Sequence, residues 1–151
     1  IDGKSVGELD FYTAGATEKG VLIGRYTNLS SGPHLMTITV KREHKGRGSE
    51  RSKISLDYFK VFPGQGETVE KIDDRDSRIQ YGSAFKDWTD AELYASTEKY
   101  ADINADDSLD SEAIARIPFS GTGIRIYGLK TVALGKTWCI EGKGWSFQDV
   151  E

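Results

Sequence analysis

Cysteine is almost missing from this chain: Cys139 stands alone among 151 residues, so no internal disulfide holds the fold. In a eukaryotic protein that scarcity would favour a reducing compartment, but for a surface protein of a Gram-positive bacterium it is silent. Histidine is nearly as rare, at two residues, and no G-x-S-x-G motif occurs. A nucleophile with its own base therefore has few residues to be built from. The 24 acidic side chains offer many pairs, but glycoside hydrolysis needs a defined carboxylate separation, and nothing in the sequence selects one pair. The expectation is a non-catalytic chain. Positive charge is not in excess either: 20 Lys and Arg against 24 Asp and Glu give a net charge of −4. The basic stretch Lys41 to Lys53 is broken by Glu43 and Glu50, so a nucleic-acid partner is not expected. No apolar run approaches the ~20 residues of a membrane span, so no membrane partner is expected. No signal-peptide pattern opens the chain, as expected of a segment taken from inside an array.

What the chain has is glycine, 17 against three prolines, set between short apolar stretches. Its length fits one domain with a real core. Val6 to Tyr12, Val21 to Tyr26, Leu35 to Lys41 and Lys53 to Phe62 read as strands. In the third, Met36, Ile38 and Val40 share a face; in the fourth, Ile54, Leu56 and Tyr58 alternate with Ser55, Asp57 and Phe59. Thr13 to Lys19, Asn28 to Pro33 and His44 to Arg51 read as turns or loops. Residues 63–68, opening on Pro63-Gly64-Gln65-Gly66, read as a linker. Further strands are Arg78 to Tyr81, Ala113 to Phe119, Gly123 to Tyr127, Thr137 to Ile140 and Trp145 to Val150. Asp90 to Ala101 has mixed periodicity that admits a short helical turn, and Asp102 to Glu112 is an acidic loop. Eight or nine short strands with turns between them predict an all-β sandwich.

Ile1-Asp2-Gly3-Lys4 nearly repeats as Ile140-Glu141-Gly142-Lys143, an offset of 139 residues, and each copy leads to an acid at the same distance, Asp10 and Asp149. Such a spacing fits one period of a tandem array. Motifs of a known module appear in order from residue 72. Ile72-Asp73-Asp74-Arg75-Asp76-Ser77-Arg78-Ile79-Gln80-Tyr81 is followed by Phe85-Lys86-Asp87-Trp88. Ser96-Thr97-Glu98-Lys99-Tyr100 comes next, then Phe119-Ser120-Gly121-Thr122-Gly123-Ile124 through Gly128. The remaining motifs stand in the first half: Ile1-Asp2-Gly3-Lys4, Leu29 to Val40 and Leu56-Asp57-Tyr58-Phe59-Lys60-Val61. Together they resemble a galactose-binding-like β-sandwich (jelly-roll) carbohydrate-binding module, over nearly the whole chain and in permuted order. Residues 1–63 resemble the C-terminal half of one copy and residues 70–151 the N-terminal half of the next.

The resemblance implies a sandwich whose halves close on each other; the alternative is exchange with a neighbour, as in a domain-swapped dimer. The segment Thr137 to Glu151 would then compete for the slot of Ile1 to Tyr12. It implies an accessory, lectin-like module of a secreted or wall-attached Gram-positive glycoside hydrolase, binding glycans with terminal galactose beside neighbouring modules of the same polypeptide. A structural spacer or protein-binding repeat of a surface adhesin is the competing reading. Such modules often hold a structural Ca²⁺.

Sugar recognition needs an aromatic face for ring C–H groups and planar polar groups for hydroxyls. Trp88, in a polar stretch, is the stacking candidate; Arg42, His44 and Arg51 are the hydroxyl-binding candidates, with Tyr12 bordering the site. The sugar reading of these residues requires Trp88 and the Arg42–Arg51 loop to converge at one end of the sandwich. Asp102, Asn104 and Asp106 echo the first ligands of a calcium loop, although Asp107 stands where that loop wants glycine and Ala113 where it wants a carboxylate. Asp73, Asp74 and Asp76 form a second acidic group. Tyr58, Phe59, Phe119 and Tyr127 are expected in the core, and His34 and the tryptophans Trp138 and Trp145 in packing roles. Asn28-Leu29-Ser30 fits a glycosylation sequon, which has no meaning in a bacterial source.

Overall fold

The computed structural model describes residues 1–11, 16–40, 51–104, 113–130 and 138–140, with the backbone alone at 51–53, 102–104 and 138–140. Among these residues the fold is all-β with antiparallel pairing, a sandwich of a large and a small sheet. In chain order the strands are β1 Gly7–Leu9, β2 Glu18–Tyr26, β3 Pro33–Thr39, β4 Arg51–Phe62, β5 Glu70–Asp73 and β6 Gln80–Tyr81. They continue with β7 Phe85–Thr89, β8 Thr97–Asn104, β9 Ile114–Ser120, β10 Gly123–Lys130 and β11 Trp138–Ile140. The large sheet runs β2-β10-β4-β8-β7, with β5 on β4; the small sheet runs β3-β9-β6. Each sheet thus combines strands from both sides of residues 63–68. That segment joins β4 to β5, which pair with each other, so it forms a hairpin loop.

The core lies between the sheets and follows from period-two alternation. Met36 and Ile38 on β3 and Ala115, Ile117 and Phe119 on β9 face Leu56, Phe59 and Val61 on β4 and Ile124 and Ile126 on β10. The core of ten such side chains is fully or almost fully removed from water, at ~1.5–3 kcal/mol each. Strand β4 departs from the expected alternation. Tyr127 pairs with Tyr58 but Gly128 pairs with Leu56, which leaves Asp57 as an extra residue. This bulge reverses the faces beyond it. Ile54 and Leu56 therefore share the core with Phe59 and Val61, while Tyr58 turns outward, as does Tyr127 opposite it. The expectation that both tyrosines are core is thereby corrected.

The same bulge divides the far edge of β4: residues up to Leu56 pair with β8, and those from Tyr58 pair with β5. Strands β5, β7 and β8 were not expected from the sequence as strands. The helical turn admitted within Asp90 to Ala101 is a 3-10 turn at Tyr94–Ser96. At the chain start, Asp2 and Gly3 take left-handed φ values of 53° and 75°, closing a turn in which Lys4 N–H donates to the Ile1 carbonyl at 2.9 Å. His34 locks that turn, with Nδ1 2.6 Å from Asp2 Oδ2 and Nε2 2.7 Å from the Ser30 carbonyl. Burial opposes its charge, but these bonds outweigh it and raise the ring's pKa. Strand β11, which ends on the first residue of the second motif copy, pairs antiparallel with β1, Ile140 opposite Gly7.

The glycines of the Gly121-to-Gly128 motif mark close backbone approach. A Cβ at Gly128 would stand 2.1 Å from the Ser55 carbonyl oxygen, and one at Gly121 2.5 Å from that of Phe62. Neither neighbour can yield, because both are backbone. Gly128→Ala is expected to cost ~1–3 kcal/mol, lowering Tm by roughly 3–10 °C in a chain of this size. Thermal unfolding followed by circular dichroism checks this; an unchanged Tm would contradict the close approach.

Candidate functional site

Trp88 lies on strand β7, at the edge of the large sheet, and not in a loop as its polar neighbours suggested. It is 55% exposed, and Tyr100 approaches its ring edge-on at 6.5 Å between centroids. Trp88 pairs with Glu98 near the start of β8, whereas Arg51 pairs with Asn104 at its end. The two positions are six residues, or about 20 Å, apart along the strand. Their backbones therefore sit at opposite ends of the ladder, while the Arg51 side chain and the rest of the Arg42–Arg51 loop lie outside the described residues. Arg42, His44 and Tyr12 lie outside the described residues, as do Asp106 and the strand expected at Trp145 to Val150. The backbones of Asp102 and Asn104 end β8, with Asp102 opposite Lys53; their side chains lie outside the description.

The acids Asp73, Asp74 and Asp76 do not converge on one point. Asp76 accepts from Arg78 Nη2 at 2.8 Å and Nε at 3.0 Å, and Asp73 faces Arg75 at 3.4 Å. Asp74 is fully buried and accepts from the Thr97 hydroxyl at 2.7 Å. No group of three or more His, Cys, Asp or Glu suited to a metal occurs among the described residues. Asp74 instead belongs to a buried polar node with Asp57, Ser55 and Glu98. The Ser55 hydroxyl donates to Glu98, and Asp57 accepts from the backbone N–H of Tyr94 at 3.0 Å. The backbone adds a bond from Asp74 N–H to the Asp57 carbonyl at 3.0 Å.

The segment 90–96 covers this node. Asp90 and Glu92 each meet Lys19 of β2 at 2.6 Å, and Tyr94 packs on Tyr58 at 4.9 Å, so the segment straps the outer face of the large sheet. Beyond the strap the face is open. Tyr58 stacks on Tyr127 at 4.4 Å and 5°, with Lys71 over the rings of Tyr58 and Tyr94 and Lys60 over Tyr127. Arg125 lies over Phe62 at 4.8 Å. A shallow groove of about 390 Å³ is lined by Lys60, Phe62, Val69, Lys71 and Arg125. The sequence did not single out this face. Its residues come from three strands, the β4–β5 loop and the strap, and only the register across the strands brings them together.

Burial pushes the Asp57 carboxyl up to about 6, opposed by the Tyr94 N–H and reinforced by the charges of Glu98 and Asp73. Burial likewise holds Asp74 well above the usual carboxylate range, against the Thr97 bond and with help from Asp73. Asp74 Oδ2 and Asp73 Oδ1 are both buried without a partner among the described residues, and a proton on Asp74 supplies the missing donor. Raised carboxyl pKa values mean that the folded chain holds more protons than the unfolded one between about pH 4 and 7. Stability therefore falls as pH rises through that window, and His34 adds a loss of the same sign above its unfolded pKa. The chain is expected to be on the order of 1–2 kcal/mol less stable at pH 8 than at pH 5. Asp74→Asn, which keeps an acceptor for Thr97, should flatten the dependence. Denaturant unfolding at both pH values checks this; equal stability at pH 5 and 8 would contradict the protonated node.

No protein-family model, curated protein or solved structure matches the chain.

Proposed function

We propose that the chain is a non-catalytic carbohydrate-binding module that holds a secreted or surface glycoside hydrolase of a Gram-positive bacterium on galactose-containing glycans. The observation that supports the reading best is the indole of Trp88, more than half exposed on an edge strand and braced edge-on by Tyr100. An exposed indole gives up little hydration when the C–H face of a galactose ring covers it, and the bracing reduces the rotamer entropy lost on contact. Lys86, two residues before it on the same face of the strand, is exposed and supplies a polar group beside it. The buried acids argue against their use in hydrolysis, because Asp57, Asp74 and Glu98 hold backbone or hydroxyl partners beneath the strap. A single platform of this kind binds weakly, and repetition along a parent protein would supply avidity. Arg42, His44 and Arg51, with Tyr12, form the polar end of the module in this reading, and a structural Ca²⁺ at Asp102, Asn104 and Asp106 would brace it.

The separation of Trp88 from Arg51 favours a second reading, a spacer or protein-binding repeat of a surface adhesin. A glycan array probed with the chain and its Trp88→Ala variant, each with and without a chelator, separates them. Module function predicts binding to terminal β-galactosides and a loss of roughly tenfold or more in the variant with an unchanged Tm. Loss on chelation would add the metal. No binding from the folded chain, or binding indifferent to Trp88→Ala, would remove the galactoside reading of that residue.

A further inference from the structure

The outer face of the large sheet carries a row of like charges set directly opposite one another. Arg25 on β2 pairs with Arg125 on β10, Arg125 pairs with Lys60 on β4, and Lys60 pairs with Lys71 on β5. Residues opposite one another across a ladder share a face, so four cations cross four neighbouring strands in one line. At the usual strand spacing the line is about 14 Å long. Directly opposed like charges destabilise a sheet. No carboxylate within salt-bridge distance of Lys60, Lys71 or Arg125 occurs among the described residues, where their nearest charge-stabilising contacts are aromatic rings. Arg125 Nε is in addition buried without a hydrogen-bond partner among those residues. The acids nearest in sequence are engaged elsewhere, Glu70 with Arg78 at 2.7 Å and Asp73 with Arg75 at 3.4 Å.

The line has apolar walls. On one side stand Phe62 and Val69, which share the groove with Lys60, Lys71 and Arg125. On the other, two residues along the strands, stand Tyr127 and Tyr58, with Tyr94 against Tyr58. A ligand that fills this surface carries several anionic groups in a line, and between them apolar C–H faces and hydroxyls that suit tyrosine. We propose that this face binds an acidic polysaccharide, a glycan whose sugar units bear carboxylate or sulfate groups, at a site separate from Trp88. Carboxylate and sulfate share the chemistry that the row recognises: a planar or tetrahedral oxyanion met by a guanidinium and two ammonium groups. A nucleic acid fits less well. Its bases and phosphates do not set pyranose C–H faces between the anionic groups, as the tyrosine wall requires, and the net charge of −4 gives no long-range attraction for any polyanion, so binding depends on close contact along the row.

The test is affinity electrophoresis of the intact chain through gels holding heparin, polygalacturonate, neutral galactan or single-stranded DNA, at about 50 mM and 300 mM salt. Retardation by heparin or by polygalacturonate at low salt, abolished at high salt, supports the proposal, and the polymer that retards more identifies sulfate or carboxylate as the preferred group. Lys60→Gln and Arg125→Gln are each expected to weaken retardation ~10-fold. Each should also leave Tm equal or higher, because each relieves repulsion in the row; that second readout separates loss of a ligand from loss of the fold. Trp88→Ala should leave polyanion binding intact, so failure of the galactoside reading and failure of this one are distinguishable. The proposal is overturned if neither acidic polymer retards the chain at low salt, if both variants are retarded as strongly as the native chain, or if DNA retards it more than either polysaccharide.

Discussion

One extra residue in one strand sets the character of the large sheet. Asp57 is inserted opposite the Tyr127–Gly128 step, and the insertion is held by bonds on both sides of it. Its carbonyl accepts from Asp74 and its carboxyl from Tyr94. Without the bulge, strict alternation would place Tyr58 in the core and Phe59 in water, together with everything beyond them on β4. With it, Phe59 and Val61 complete the core, and Tyr58, Lys60 and Phe62 are delivered to the outer face. The bulge also marks where β4 changes partners from β8 to β5. A buried carboxyl is a costly device for this: burial pushes its pKa up to about 6, so it takes up a proton more readily than an exposed aspartate does.

The motifs that suggested a sugar-binding module meet at this node. Leu56-Asp57-Tyr58-Phe59 supplies the bulge, Asp73-Asp74 the carboxyl pair, Ser96-Thr97-Glu98 the hydroxyl and acid partners, and Gly128 the clearance beside Ser55. Their spacing in the chain is therefore accounted for by packing and polar satisfaction. These residues specify how three segments fit together, whereas Trp88 and Lys60 of the same motifs lie outside the node. Function has to be sought where side chains remain open, at Trp88 on the edge strand and along the row of cations.

Much of the architecture was legible because burial on one face writes period two into the sequence. Met36, Ile38 and Val40 announced β3, and the glycine-bounded stretch from Gly123 announced β10. Strands β7 and β8 were not legible, since β7 exposes four of its five residues and β8 mixes Glu98 and Lys99 with its apolar positions. The inversion on β4 could not be read, because a bulge leaves no mark in composition. Trp88 stood out as an aromatic among polar residues and is exposed, as a stacking role requires, but its distance from Arg51 depends on which ends of β7 and β8 meet. The row of Arg25, Lys60, Lys71 and Arg125 is spread from position 25 to position 125 of the sequence and exists only through register.

The two proposed binding surfaces share one sheet, an indole at its edge and a cationic row across its open face. The measurement that tests this most directly is a chemical-shift map of the isotope-labelled chain, titrated first with a neutral β-galactoside and then with an oligogalacturonate. The account predicts that the neutral sugar moves the Trp88 indole and the amides of β7. The acidic oligomer should move the amides and side chains around Lys60, Lys71 and Arg125. A single set of shifted residues for both ligands, or shifts confined to neither surface, would contradict it.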